Sequence, residues 1–281
     1  MSGSLSPVVT SALWIVESLF ILGAAAWLLR RRLALLPMLL GRDTSALSPS
    51  THPPSNLALA FGFSFGGAFI CALALSVVSP WPVPPVGEVN TFTAVSAVVF
   101  QTGLFAGLAH AWFWHLRKTP QPPPPTLPAG RILRGAFVTF ILLVFAVGGS
   151  ATLWDALLGL FGVDARPQDI VTLFARRGDA REITIVLLSA VLLAPFSEEI
   201  LFRVLLFRWL RTRSSRAVVL LLPAALFAFV HGSVAVFVPL AVLSLILALA
   251  YERAGHPAVP ILAHAFFNLN TIVVVLAGLP A

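Results

Sequence analysis

The residues best suited to chemistry lie in one apolar run. Between Ile183 and Leu210 the chain reads Ala194-Pro195-Phe196-Ser197-Glu198-Glu199-Ile200-Leu201-Phe202-Arg203, two adjacent carboxylates and an arginine among aliphatic and aromatic neighbours. Each charge costs roughly 2.5–3.5 kcal/mol at the centre of an inserted helix, so a chain keeps three only under strong demand. Helical geometry separates their roles. Glu199 and Arg203 are four residues apart, about 40° around a helix, and can form an ion pair. Glu198 lies about 100° from Glu199 and about 140° from Arg203, so it faces elsewhere. The pair offsets much of its own burial cost, leaving Glu198 as the reactive candidate and Glu199 with Arg203 as its support. The competing reading, in which all three only stabilise helix packing, is the weaker one because intramembrane ionisable residues are functional by default.

Two further apolar runs supply partners: Phe227-Ala228-Phe229-Val230-His231, and His264-Ala265-Phe266-Phe267-Asn268 with His264 and Asn268 four apart on one face. A lone buried histidine is more often a satisfied core residue than a catalyst. Two histidines, an asparagine one turn on and a glutamate pair shift that balance. A carboxylate with an imidazole can take a proton from water, and imidazole and carboxamide N–H groups can hold a developing oxyanion. No side-chain nucleophile presents itself: Ser197 and Ser233 lack a clearly paired base, and Cys71 lies on a distant run. Water is the expected attacking group.

These residues must be positioned by membrane helices. Hydrophobic residues make up 58% of the 281-residue chain and charged residues 10%, against about 45–50% and about 25% in soluble domains. The expected fold is all-α, a polytopic integral membrane protein with about eight transmembrane helices near 11–29, 57–79, 92–116, 135–156, 183–210, 217–235, 236–251 and 259–279. The sixth and seventh are barely separated. With residues 1–7 lacking a basic n-region and a cleavage site, the first span is expected to be retained.

The net charge of +7 is nearly all arginine, clustered at the ends of apolar runs. That is the pattern of the positive-inside rule and argues against a nucleic-acid partner. With the N-terminus outside, thirteen basic residues fall in cytoplasmic loops (including Arg30, Arg31, Arg32, Arg42, Arg117, Lys118, Arg131, Arg134 and Arg208 to Arg216) and four outside, so N-out and C-out is favoured. Pro120 to Pro128 reads as a stiff polyproline spacer. The stretch 161–182 sets Ile170, Val171, Leu173 and Phe174 against Gln168, Asp169, Arg176 and Arg177, a pattern for a helix lying in the interface. No inverted repeat of the transporter kind is evident. The single cysteine says nothing of redox compartment.

Depth sets a constraint. Glu198 is about 18 Å of helix from Leu210 and His231 about 21 Å from Ala217, which agree, but His264 is only about 8 Å beyond Val259. A tilted or late-starting last span, or a cavity open to the cytoplasm, would reconcile them; the cavity is favoured.

The order of motifs, Glu198-Glu199-x-x-x-Arg203, Phe227-x-x-x-His231, then Tyr251-Glu252-Arg253 leading to His264-x-x-x-Asn268, resembles the CAAX-processing endopeptidase and bacteriocin-processing family, which includes the Rce1-type CAAX prenyl proteases and many bacterial immunity proteins. The resemblance covers about 183–280. It implies an intramembrane peptidase of glutamate type in which Glu198 and His231 activate water, His264 and Asn268 stabilise the oxyanion, and Glu199 and Arg203 support the site. It further implies a peptide or lipidated-protein substrate, a bilayer around the protein, no cofactor, and a bacterial inner membrane with the site opening towards the cytoplasm. On this basis 183–281 is the protease core, and 1–182 holds N-terminal transmembrane helices without a recognised motif.

Three rivals stand beside it. Glu198, His231 and His264 could ligate zinc with water as fourth ligand, although no His-Glu-x-x-His motif is present. The polar cluster could serve a non-catalytic immunity or binding protein. A proton-coupled transporter is disfavoured by the missing repeat.

Overall fold

The computed structural model describes residues 47–85, 88–163, 172–173 and 180–277. The expected first span, 11–29, and nearly all of the expected interfacial stretch 161–182 lie outside the described residues. Among those described, every regular element is helical. Six helices are long and apolar enough to cross a membrane: α1 (Pro54–Val78), α2 (Thr91–Lys118, ending in a 3₁₀ turn), α3 (Ala129–Leu160), α4 (Ala180–Leu210), α6 (Phe237–Ala254) and α7 (Ala258–Leu276). Between α4 and α6 lies α5, Arg216–Phe229. The chain is an integral membrane protein.

The helix ends follow from local chemistry. Pro54 opens α1 at a position where a missing N–H costs nothing. Asn90 and Thr93 form a reciprocal capping box at the start of α2. Gly255, at φ 67°, ends α6 in the left-handed conformation that glycine adopts without steric penalty. The expected span 217–235 resolves differently. Its helix has 14 residues, about 21 Å against the roughly 30 Å of a bilayer core. It stops after Phe229 and turns through His231 and Gly232, the latter at φ 64°. Non-helical backbone at such depth is tolerated only where protein buries it or a cavity adjoins it. The indole N–H of Trp154 on α3 donates to the Val234 carbonyl at 2.7 Å, satisfying part of that break.

Helix α4 is central and meets α1, α2, α5, α6 and α7, while α3 packs against α6 and α7 on another side. Phe202 of α4 is 1% exposed and links neighbours edge-to-face, its centroid 5.6 Å from Phe61 on α1 and 5.2 Å from Phe227 on α5. Helices α1 and α2 form the closest pair. A Cβ at Gly67 would stand 2.7 Å from the Gly103 carbonyl oxygen, and one at Gly103 equally close to that of Gly67, while at Gly107 it would collide with the backbone of Phe63. Small residues let membrane helices approach to backbone contact.

One end of the bundle carries the charge. There the segment 47–53 lies across the end of α4, held by guanidinium groups that collect its carbonyls: Arg208 donates to Ser48 (2.7 Å), Arg211 to Leu47 (3.0 Å) and Arg213 to Ser50 (3.4 Å). The Trp209 indole donates to His52 (3.1 Å), and Arg208 also reaches Pro122 in the proline-rich linker (3.3 Å). Arg216 forms a two-pronged ion pair with Glu252 at 2.9 and 3.0 Å. His52 is 3% exposed, and burial, with Arg208 nearby, holds its imidazole below the ordinary histidine range.

Candidate active site

Helix α4 is not a uniform α-helix. Two π-helical stretches, Ser189–Leu193 and Ile200–Phe207, flank a short α-helical piece, Ala194–Glu199, that carries both glutamates. Such wider turns recur at functional sites. In the first stretch the Ala194 N–H reaches back five residues to the Ser189 carbonyl. The next donor in that register is residue 195, a proline without an N–H. The Ala190 carbonyl is instead met by the Asn268 amide of α7 at 2.8 Å. Asn268, expected at an oxyanion, thus gives one N–H to α4; its carboxamide has a second.

Glu199 is fully buried and does more than pair with Arg203. Its Oε2 lies 3.0 Å from Arg203 Nε, the ion pair expected from the spacing, and its Oε1 accepts from His264 Nδ1 at 2.9 Å. Arg203 continues to α6, donating to the carbonyl and hydroxyl oxygens of Ser244 at 3.0 and 3.1 Å, and its guanidinium stands 5.0 Å over the Phe227 ring. One glutamate therefore ties α4 to α6 and α7. Because a carboxylate only accepts, His264 Nδ1 carries a proton, which leaves Nε2 directed at Glu198 Oε2, 3.9 Å away. His264 and the glutamates meet although His264 is only six residues from the start of α7 and Glu199 eleven from the end of α4. The two helices do not end level, which reconciles the unequal depths.

Glu198 faces away from the ion pair, as the helical angles require, and lines a cavity of about 180 Å³ with Phe65, Phe100, Gln101, Leu104, Phe202 and His231. His231 sits just beyond the end of α5, and its Nδ1–H donates to the Phe227 carbonyl at 2.6 Å. A carbonyl cannot donate, so the ring is fixed in orientation with Nε2 free. Phe227 itself is wedged among the site residues, its ring centroid 4.8 Å from that of His231 and 6.0 Å from that of His264.

The structure thus brings Glu198, Glu199, Arg203, His231 and His264 together where α4, α5, α6 and α7 converge, while Asn268, one turn beyond His264 on α7, meets α4 at the Ala190 carbonyl. The serines offer nothing more: Ser197 is fully buried and gives its hydroxyl to the Leu193 carbonyl at 2.8 Å. Among the described residues, no group of three or more His, Cys, Asp and Glu is disposed to hold a metal ion. Glu198 has a further polar partner that the motifs do not include. Gln101 of α2 donates from Nε2 to Glu198 Oε1 at 3.3 Å. The available signal was a carboxamide between Val-Val-Phe and Thr-Gly-Leu in an otherwise apolar span.

No curated protein and no solved structure matches the chain. Over residues 180–270, from the start of α4 into α7, the chain is similar to the family described as Type II CAAX prenyl endopeptidase Rce1-like, and that stretch contains the motifs from Glu198 to Asn268.

Proposed function

We propose that this protein is an intramembrane endopeptidase of the CAAX-protease type, hydrolysing a peptide bond with a water activated by Glu198 and His231. The observation that carries the reading is the division between the two glutamates. Glu199 is sealed into contacts with Arg203 and His264, while Glu198 turns into the cavity shared with His231. In the reaction, water loses a proton to Glu198 as its oxygen attacks the scissile carbonyl carbon. His231, anchored through Nδ1, orients that water through Nε2. The developing oxyanion is held by His264 Nε2–H and by the free N–H of Asn268. His264 acts there as an imidazolium whose counter-ion is Glu199; Arg203 and that imidazolium together match the two carboxylates in charge. Glu198 then returns its proton to the leaving amine nitrogen as the C–N bond breaks.

The substrate is a peptide or lipidated protein, as the family's description suggests. The charge distribution supports a cytoplasmic placement for the end of the bundle carrying Arg117, Lys118, Arg131, Arg134, Arg208, Arg211, Arg213, Arg216 and Arg253. A bacterial inner membrane is the setting we infer.

The test compares membrane peptides by mass spectrometry from cells carrying the wild type and Glu198→Gln. The amide keeps the shape but cannot serve as base, and acid–base groups typically contribute about 10²–10⁴-fold. Product peptides should vanish in the variant while yield and melting temperature hold. Identical peptide sets would favour a non-catalytic immunity or binding protein. Metal analysis of the purified protein runs in parallel. Stoichiometric zinc that disappears in both His231→Ala and His264→Ala would replace the glutamate mechanism with a metalloprotease.

A further inference from the structure

The matched region begins at residue 180, yet the cavity in front of Glu198 is half built by helices that precede it. Phe65 comes from α1, and Phe100, Gln101 and Leu104 come from α2. Of these only Gln101 is polar. Its side chain can be placed in just one sense: with the amide reversed, its oxygen would oppose the carboxylate of Glu198, acceptor against acceptor. With Nε2 donating to Glu198 Oε1 at 3.3 Å, the Gln101 Oε1 is left buried and without a hydrogen-bond partner. Buried polar atoms are nearly always paired, so a carboxamide that leaves its own acceptor unmatched in order to reach Glu198 marks that contact as one kept at a cost.

We infer that Gln101 is a positioning residue for hydrolysis, fixing through Nε2–H the Glu198 carboxylate that receives the proton of the attacking water. The inference rests on the proposed hydrolytic role of Glu198. The carboxylate is then held on Oε1 by Gln101, while His264 Nε2 stands 3.9 Å from Oε2, beyond hydrogen-bond range and open to the oxyanion. A water donating one O–H to Glu198 and the other to His231 Nε2 has its lone pair free for the carbonyl carbon. Gln101 exchanges no proton. One O–H bond of water breaks with its proton passing to Glu198, the C–O bond forms, and the C–N bond later breaks with that proton delivered to nitrogen. The close approach of α1 and α2 at Gly67, Gly103 and Gly107 makes the placement rigid, since Gln101 lies within two residues of Gly103 on a helix that cannot slide along its partner.

The experiment measures kcat and KM for full-length protein, using a peptide recovered from the comparison of wild type with Glu198→Gln. Gln101→Met keeps length and loses the hydrogen bond to Glu198; kcat should fall by about 10²-fold, the scale of misplaced reacting groups, with KM and melting temperature close to wild type. Gln101→Glu keeps the shape and the acceptor but donates only when the introduced carboxyl is protonated. Its activity relative to wild type should therefore rise as pH is lowered, a dependence that a merely structural role would not produce. Wild-type kcat in Gln101→Met, or a Gln101→Glu profile parallel to wild type, would overturn the inference while loss of activity in Glu198→Gln left the hydrolytic reading intact. Equal turnover by wild type and Glu198→Gln would overturn both.

Discussion

Glu199 occupies the position of greatest leverage among single residues. It joins a guanidinium on its own helix to an imidazole on α7, and through Arg203 it reaches the Ser244 carbonyl on α6. Removing one partner of a buried ion pair strands the other, at about 3–5 kcal/mol. Glu199→Ala and Arg203→Ala are both expected to lower the melting temperature in detergent, measured by thermal unfolding of the purified protein. Glu199→Ala should also lower activity beyond what its instability explains, because it frees the His264 ring. Equal activity of the two variants, after correction for folded fraction, would show that the contact with His264 does not matter. The ion pair was legible in the sequence because four-residue spacing within one helix fixes proximity. The contact between Glu199 and His264 was not, since it joins residues 65 apart in the chain and depends on how their two helices dock. Gln101 was hidden for the same reason, and the hold of Asn268 on Ala190 could be found only once the π turn before Pro195 had exposed that carbonyl.

Among elements, the α1–α2 pair is the one that the apolar pattern describes least. Hydropathy locates both helices to within about three residues of their ends, a tolerance usual for helix boundaries. It says nothing of the glycines that set their separation. Leucine at 107 would drive a side chain into the backbone of Phe63. Gly107→Leu should therefore part the two helices, lower the melting temperature, and reduce proteolysis by withdrawing Gln101 from Glu198. Gly62→Leu, where nothing stands within 4 Å of the added Cβ, is the control and should leave both unchanged. Thermal unfolding and turnover of the pair of variants check this, and equal behaviour would mean that the close approach is dispensable. Helix α5 shows the opposite limit of the apolar pattern. Residues 217–235 contain enough hydrophobic side chains to read as a span, and only the structure shows the chain leaving helix at the point where His231 is needed.

At the scale of the molecule, the arginines clustered at the end of α4 serve a purpose beyond orientation. Arg208, Arg211 and Arg213 hold the 47–53 segment through its carbonyls. His52 sits in this contact with Nδ1 3.2 Å from the Asn56 amide nitrogen, which can only donate, so the imidazole there is an acceptor. Its folded pKa lies below the ordinary 6.5, first through burial and then through Arg208. The released segment therefore binds protons more readily than the docked one, and the docking energy is fully present above about pH 6.5 and lost as pH falls through the folded value. Hydrogen exchange of residues 47–53 should quicken between pH 7.5 and 5, after correction for the intrinsic exchange rate, and His52→Gln should abolish that change. Unaltered protection at pH 5 would mean that the arginine contacts alone hold the segment. The long helices and the crowding of positive charge at one end were readable from composition, whereas the employment of those charges was not, because backbone carbonyls leave no mark in a sequence.

The alternation of α and π turns in α4 has a consequence for how this helix tolerates insertion and deletion. A π turn accommodates one more residue than an α turn between fixed neighbours, so each of the two stretches beside the glutamates is equivalent to an α-helix that has gained a residue. Losing that residue returns the helix to α geometry and leaves its two ends in phase, whereas a residue lost from an α-helical stretch turns one end against the other by about 100°. A deletion between Ser189 and Leu193, or between Ile200 and Phe207, can be absorbed by closing the wide turn, while one within Ala194–Glu199 would turn the entering half of α4 against the half that carries Trp209 and the arginines. For that α-helical piece the substitution tolerance of the individual positions would be a poor guide. The information resides in the count of residues, and a frame of side chains that is chemically unchanged would point at the wrong neighbours.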